Sequence, residues 1–329
     1  MITPEPILVV GAYGYRNAGD EAILAGLLEH PLAGRRVTVV SRSPAETTAL
    51  HGVRSIGIGA AIGALRRHRT VLIGGGGLFG RDMGRIGRLL PIYGLLAAAV
   101  GRTVWIEGVD VDPGLTGIHR LLVRQLMRSA AQVSVRDDAS VRVLSEWGID
   151  ASVAQDASAH MAAAPGRVGR ALLRGAGVDD KRPVVGLCLT AVNEAVSEPA
   201  VAAVLALMRR HPELGFCFVP MSQHPYLEAH NDLVLARRLQ ALWPPLRIVE
   251  GSHHPSAVLS LFGSLDAVVG MRYHSLLFAE RAGVPLIPIS YAVKCDAWLS
   301  ERGLRAVPAT AAALSRALAR VLPARSRAS

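Results

Sequence analysis

Cysteine is nearly absent: the 329-residue chain has three, Cys188, Cys217 and Cys295, with no C-x-x-C pair and no even-numbered framework. A disulfide scaffold and a cysteine-rich zinc site are not expected, and a reducing compartment is the simplest reading. Lysine is scarcer still. Of 36 basic side chains only Lys181 and Lys294 are lysines, so arginine is the default cation and a retained lysine is informative. Aromatic residues make up 5% of the chain and do not interleave with the basic ones, which argues against a protein that stacks on nucleic acid. Long apolar runs are missing too: Leu89 to Gly101, uncharged between Arg88 and Arg102, has 13 residues, where a spanning helix needs roughly 18. The first residues, M-I-T-P-E-P-I-L-V-V, place no basic region ahead of an apolar stretch, so export is not indicated and a cytoplasmic protein is expected.

What is present is apolar and basic. Hydrophobic residues account for 50% of the chain and charged ones for 19%, far from a disordered composition. The length suits two domains of about 150 residues each. With 36 basic against 26 acidic side chains the formal net charge is +10, which leaves anionic ligands, anionic membrane surfaces and nucleic acid open as partners.

Short β-branched runs recur at 7–10, 37–40, 70–73, 103–106 and 133–135, with helical patterns between them, for example over 118–130 and 140–147. That alternation is the pattern of a parallel α/β sheet. A second series has strands expected at 183–189, 215–219, 247–249, 267–269 and 286–289, with helices over 200–210, 233–242 and 310–321. The fold class is therefore α/β, with two Rossmann-like domains. Residues 1–165 form the first, with its glycine-rich loops; 166–182 are the interdomain connection; 183–309 form the second; 310–329 are a terminal helix and basic tail. Ligands bind at the carboxyl ends of such strands, so the two parallel sheets are expected to face a central cleft.

Three segments carry residues suited to chemistry. The first strand runs into G-A-Y-G-Y-R-N-A-G-D-E-A-I-L, Gly11–Leu24, where Asp20 and Glu21 are read equally as a helix cap and as site residues beside Asn17. The third run leads into Gly74–Gly77 and L-F-G-R-D; glycines there let the backbone of Gly75 and Gly76 approach a ligand, with Arg81 nearby. The densest segment, Asp266–Lys294, sends a buried strand into Gly270, Arg272 and His274, and a following strand toward Tyr291 and Lys294. Arg272 offers a planar fork for carboxylate or phosphate, Lys294 a point charge, and His274 a proton donor near neutral pH. Bland readings are preferred elsewhere. His253, His254 and Ser222–Tyr226 are polar turns, Cys295 is an ordinary small residue, and Arg66, Arg67 and Arg69 are a solvated helix surface or a membrane-facing patch.

These motifs resemble the polysaccharide pyruvyl transferase family, whose pattern has G-x-x-G-x-x-N-x-G-D-E-A early, a glycine run, S-x-R-D midway and G-x-R-x-H-S/A late. Here they fall at Gly11–Ala22, Gly74–Gly77, Ser134–Asp137 and Gly270–Ser275, followed by V-P-x-x-x-x-x-Y-x-x-K at Val284–Lys294. The resemblance implies a two-domain architecture similar to glycosyltransferases of the GT-B type. It also implies transfer of the enolpyruvyl carbons of phosphoenolpyruvate to two hydroxyls of one sugar, with a cyclic ketal and phosphate as products. Carried over by motif, Arg272, His274 and Lys294 hold the donor, and Arg136 reaches the donor or an anionic part of the acceptor. His274 is the candidate acid, with Asp20, Glu21 or Asp82 as alternatives. Neither a metal nor any cofactor beyond phosphoenolpyruvate as co-substrate is expected. After the first strand of the second domain the chain has Thr190, Asn193 and Glu194, where family members often carry an arginine.

The implied acceptor is a glycan precursor of cell-envelope polysaccharide, linked to a nucleotide or lipid diphosphate, which allows peripheral contact with the inner face of the membrane. The competing reading is a nucleotide-sugar glycosyltransferase with Arg272 and Lys294 on a diphosphate. A third is a non-catalytic anion-binding or nucleic-acid-binding protein, disfavoured by the few aromatics and the lack of a nucleic-acid motif.

Overall fold

The valine- and isoleucine-rich runs of the first half assemble into a seven-stranded sheet in which every pairing is parallel. Its strands are β1 (Ile7–Val10), β2 (Val37–Ser41), β3 (Arg54–Gly57), β4 (Thr70–Phe79), β5 (Thr103–Val111), β6 (Gln132–Val135) and β7 (Ser152–Val153). They lie in the order β3-β2-β1-β4-β5-β6-β7. This description rests on a computed structural model that describes residues 4–80, 84–179 and 181–322.

Alternation along the strands builds two cores, because successive side chains leave a strand on opposite faces. Ile7, Val9, Val39 and Leu72 meet Ile23, Leu24 and Leu27 of α1 (Ala18–Glu29). Leu8, Val10, Val71, Ile73 and Ile106 meet a layer on the other face. After α2 (Pro44–His51), that layer is made of α3 (Ala61–Ala64), α4 (Gly84–Ala99), α5 (Gly117–Ser129) and α6 (Asp138–Glu146).

The second sheet has β8 (Val184–Cys188), β9 (Gly215–Phe218), β10 (Arg247–Ile248), β11 (Ala267–Gly270) and β12 (Leu286–Pro288), in the order β10-β9-β8-β11-β12 and again wholly parallel. Its helices are α7 (Gly166–Gly175), α8 (Glu194–Arg210), α9 (Asp232–Leu242), α10 (Pro255–Phe262), α11 (Tyr273–Arg281), α12 (Val293–Glu301) and α13 (Ala311–Val321). In each sheet the winding reverses once, at β1/β4 and at β8/β11, the place where open α/β sheets bind ligands.

The structure departs from the sequence reading in three places. β4 does not stop at Ile73 but continues through the glycines to Phe79, with a register shift against β5 between Gly76 and Phe79, and β5 likewise runs past Ile106 to Val111. β3 and β7 escape sequence detection because both are short edge strands with little burial, and so lack the apolar run that marks the others. Residues 166–182, expected as a connection, carry α7, whose Gly169 amide donates to the Ser260 hydroxyl of α10 at 3.1 Å. The chain divides instead into Met1–Tyr15 with Asp20–Ala162, and Arg16–Gly19 with Ala163–Ser329. Of the basic tail, residues 323–329 lie outside the described ones. Among the described residues no helix is long and apolar enough to cross a membrane.

Gly75 shows why the glycine run is needed inside a strand. Its φ is +84°, and an added Cβ would stand 1.9 Å from Ile23 Cγ2. Gly34, at φ +70°, faces open space. Gly34→Ala is expected to cost about 1 kcal/mol of left-handed backbone strain, and Gly75→Ala about 3 kcal/mol or more, because a clash adds to the same strain. Urea unfolding of the two variants checks this; equal losses would show that Ile23 yields.

Candidate functional site

In the second unit β11 delivers its last residues into a tight turn. A Cβ on Gly270 would lie 2.9 Å from the Ser275 hydroxyl, so only glycine lets the strand end this close to α11. The Met271 amide donates to the Cys188 carbonyl at 2.9 Å, extending the ladder by one rung. Arg272 then caps α11, its carbonyl accepting from the Ser275 amide at 2.8 Å and the Ser275 hydroxyl at 2.6 Å. This local path points Arg272 inward and begins a helix with His274 in its first turn.

The Arg272 guanidinium is 8% exposed as a residue and is clamped by Asp232. Its Nε donates to Asp232 Oδ2 at 2.9 Å and its Nη2 to Oδ1 at 2.7 Å, a bidentate pair. Asp232 is 1% exposed and also accepts from the amides of Met221 and Ser222 at 3.1 and 2.9 Å. Burial pushes the Asp232 carboxyl above the usual aspartate value, against the pull of Arg272 and the two amides. The sequence reading missed Asp232 because it stands outside every motif. The only local signal is its place in the first turn of α9, where an acidic residue reads as a helix start.

Segment 221–223 held by Asp232 is itself paired. The Ala18 amide donates to the Met221 carbonyl at 2.8 Å, the Gln223 amide to the Arg16 carbonyl at 2.9 Å, and Asn17 bridges Ser222 in antiparallel fashion. The Asn17 side chain closes a turn by accepting from the Gly19 amide at 3.0 Å. Gly19 lies against the imidazole of His274: a Cβ there would be 2.1 Å from His274 Nδ1 and 2.7 Å from Cε1. The glycine of the early motif is thus required by the histidine of the late one. Asn17, expected as a substrate ligand, builds the turn that presents Gly19.

Lys294 opens α12 instead of ending β12, and its Nζ lies 6.0 Å from the Tyr273 ring centroid. His230 and His224 stand with ring centroids 6.0 Å apart. Burial and the charges of Arg272 and Lys294 hold the His230 imidazole below the usual histidine value; burial, His230 and Arg272 do the same to His224. Both rings therefore belong to a positively charged neighbourhood. His224 Nδ1 also accepts from the Tyr226 and Leu227 amides, His254 caps α10, and Cys295 is buried. Asn193, where an arginine is common, donates from Nδ2 to the Tyr291 carbonyl at 3.2 Å.

In the first unit the predicted residues gather at the carboxyl ends of β1 and β4, with a different electrostatic character. Glu21 is 5% exposed: Oε1 accepts from the Gly14 amide and Oε2 contacts His51 Nε2, both at 2.8 Å. It fixes the β1–α1 loop. Asp20 Oδ1 lies 3.6 Å from where a Cβ on Gly76 would be, and Asp110 Oδ2 lies 3.5 Å from the same point on Gly77. Arg136, expected to reach an anionic ligand, is paired instead through Nε and Nη2 with Asp110 and through Nη1 with Asp156 at 3.2 Å. Two carboxylates flank this guanidinium. Arg81 and Asp82 lie outside the described residues.

Residues 17–292 match the sequence profile of the polysaccharide pyruvyl transferase family, and the chain belongs to that family. No curated protein matches it in sequence. Its fold is similar to solved structures at low identity. One is a UDP-GlcNAc 2-epimerase from Neisseria meningitidis bound to UDP-GlcNAc, with TM-score 0.63, 11% identity, 96% of this chain and 90% of that one covered. Another is the UDP-GlcNAc 2-epimerase of Methanocaldococcus jannaschii, with TM-score 0.63, 13% identity, and 97% and 93% covered. A third is HepE of Anabaena in complex with UDP and glucose, with TM-score 0.64, 11% identity, and 96% and 90% covered. The architecture is GT-B-like, with two parallel α/β sheets.

Two outcomes are expected from the second-unit geometry. Gly19→Ala costs stability or displaces His274 in the native background and is close to neutral beside His274→Ala, giving a coupling of about 1 kcal/mol or more in a double-mutant cycle by urea unfolding. Additive losses would mean the ring does not rest on Gly19. Lys294→Ala raises the titration midpoint of His230, followed by imidazole NMR. Because both histidines are held low, the unfolded chain binds more protons below the ordinary histidine value, so their contribution to stability is lost as pH falls through that window.

Proposed function

We propose that this member of the polysaccharide pyruvyl transferase family transfers the pyruvyl group of phosphoenolpyruvate to two hydroxyls of a glycan-precursor sugar, forming a ketal and releasing phosphate. The observation that carries this reading is the gathering, within one unit, of Arg272 and His274 after β11 and Lys294 after β12, with Gly19 of the early motif against the His274 ring. A donor bearing both a carboxylate and a phosphate calls for several cations around it, and Arg272 and Lys294 supply them. Both charges hold the His230 imidazole below the usual histidine value, which supports this reading.

In this scheme His274 gives a proton to the methylene carbon of the donor, which makes the adjacent carbon cationic and open to the first hydroxyl. The bond to phosphate then breaks, the second hydroxyl attacks the same carbon, and the ketal closes. One of the two hydroxyl protons replaces the proton taken up by the methylene, and the other leaves with phosphate. Arg272 and Lys294 stabilise the carboxylate and the departing phosphate. Asp232 holds the guanidinium plane of Arg272, a positioning role. Arg136 acts in the first unit by holding Asp110, whose oxygens, with those of Asp20, are of the kind that accept hydrogen bonds from sugar hydroxyls.

Calorimetric titration with phosphoenolpyruvate, run beside a panel of nucleotide sugars, tests the reading. Saturable donor binding is expected, weakened at least ten-fold (about 1.4 kcal/mol) by Lys294→Ala. Arg272→Ala abolishes it but also leaves Asp232 buried and uncompensated, at a cost of about 3–5 kcal/mol in stability, so Lys294→Ala is the cleaner probe. His274→Ala retains binding and loses phosphate release. Binding of a nucleotide sugar with release of nucleoside diphosphate, and none of phosphoenolpyruvate, would overturn the proposal.

A further inference from the structure

Among the described residues of the first unit, six of the nine large apolar side chains that are exposed stand on one helical layer. The inner faces of α3, α4 and α5 pack on the sheet through residues such as Ala64, Leu90 and Leu126. The helices also touch one another. The Tyr93 hydroxyl of α4 donates to the Ala61 carbonyl of α3 at 3.0 Å, and Gly94 lets α4 close on α5, where a Cβ would meet Leu126 Cδ1 at 2.5 Å. Their outer faces carry Ile62, Leu89, Ile92, Leu96, Ile118 and Leu121, with Ile118 69% exposed and Ile62 66%. Leu89, Ile92 and Leu96 follow helical spacing, so they form one stripe along α4, and Ile118 with Leu121 forms another on its neighbour. Apolar residues scattered singly are ordinary on a surface, whereas a contiguous patch marks an interaction.

Charge chooses the partner. Arg66, Arg67 and Arg69 are exposed just after α3, Arg88 on α4, and Arg120 and Arg128 on α5. None of the three helices contains an aspartate or glutamate. An apolar stripe on helices whose charged side chains are arginines complements a surface that is apolar below and negative above: the boundary of an anionic bilayer, where aliphatic side chains enter the acyl region and guanidinium groups meet phosphates. We propose that the outer face of α3, α4 and α5 docks the protein on an anionic lipid membrane. No spanning segment is needed for such contact. The docking surface is separate from the donor residues and does not depend on the reaction they perform.

Flotation of the full chain with vesicles of two parts phosphatidylcholine to one part phosphatidylglycerol, and with phosphatidylcholine alone, tests the surface. Binding is expected to the mixed vesicles only and to weaken as salt is raised. Leu89→Glu with Ile118→Glu is expected to abolish it. Arg66→Gln with Arg67→Gln is expected to reduce partitioning about thirty-fold. All four positions are exposed, and thermal melts confirm that the variants fold. Absence of flotation, or flotation that these variants leave unchanged, would overturn the proposal. So would a wild-type dimer that Leu89→Glu with Ile118→Glu converts to monomer in sedimentation velocity, since the face would then belong to a second copy. Donor binding measured by calorimetry is independent of each of these outcomes.

Discussion

The ion pair between Asp232 and Arg272 is the constraint on which the local structure around the β11–α11 turn rests. Each partner alone would be an expensive buried charge; together, with two backbone amides completing the carboxylate's shell, they become a rigid bracket. The bracket joins α9, the segment after β9 and the β11–α11 turn. Its reach extends one layer further, because the segment that Asp232 fixes through Met221 and Ser222 is the one to which Arg16, Asn17 and Ala18 are paired. Gly19 and the plane of His274 are set by that same relay. One carboxylate therefore orients a guanidinium directly and an imidazole at a distance.

The first unit uses the same components with the opposite balance. Arg136 pairs with both Asp110 and Asp156. Arg272 pairs with Asp232, and the charges of Arg272 and Lys294 act on His230 beside His224. Arginines drawn from two similar-looking motifs, S-V-R-D and G-M-R-Y-H-S, thus have different electrostatic meanings. What separates them is the number of acids the fold brings alongside, a quantity that depends on long-range contacts.

That difference explains what was legible in the sequence. The buried strands announce themselves by β-branched runs, and eight of the ten expected strands differ from the observed ones by no more than two residues at either end, because a strand covered on both faces has to be apolar throughout. The other two, expected over 70–73 and 103–106, run on to Phe79 and Val111; glycine reads as a break, and in the first of them positive φ at Gly75 and Gly76 carries the strand past the clash with Ile23. Arg272, His274 and Lys294 were singled out because a local motif contains them. Asp232 and Asp110 were not, since each acquires its role from a partner 40 or 26 residues away. Glu21 and Asn17 each accept from a backbone amide, a structural contact that the sequence alone does not reveal.

The chain passes through the second unit for four residues, Arg16–Gly19, before returning to the first. During synthesis those four residues emerge near the start, whereas Met221–Gln223 and His274 appear some two hundred residues later. The last hydrogen bonds of the second unit therefore wait on a segment already tethered to a folded neighbour. Contacts of such sequence separation form late and slowly. For the same reason a polypeptide beginning at Ala163 would carry every residue of the donor set and still lack the edge against which its histidine is aligned.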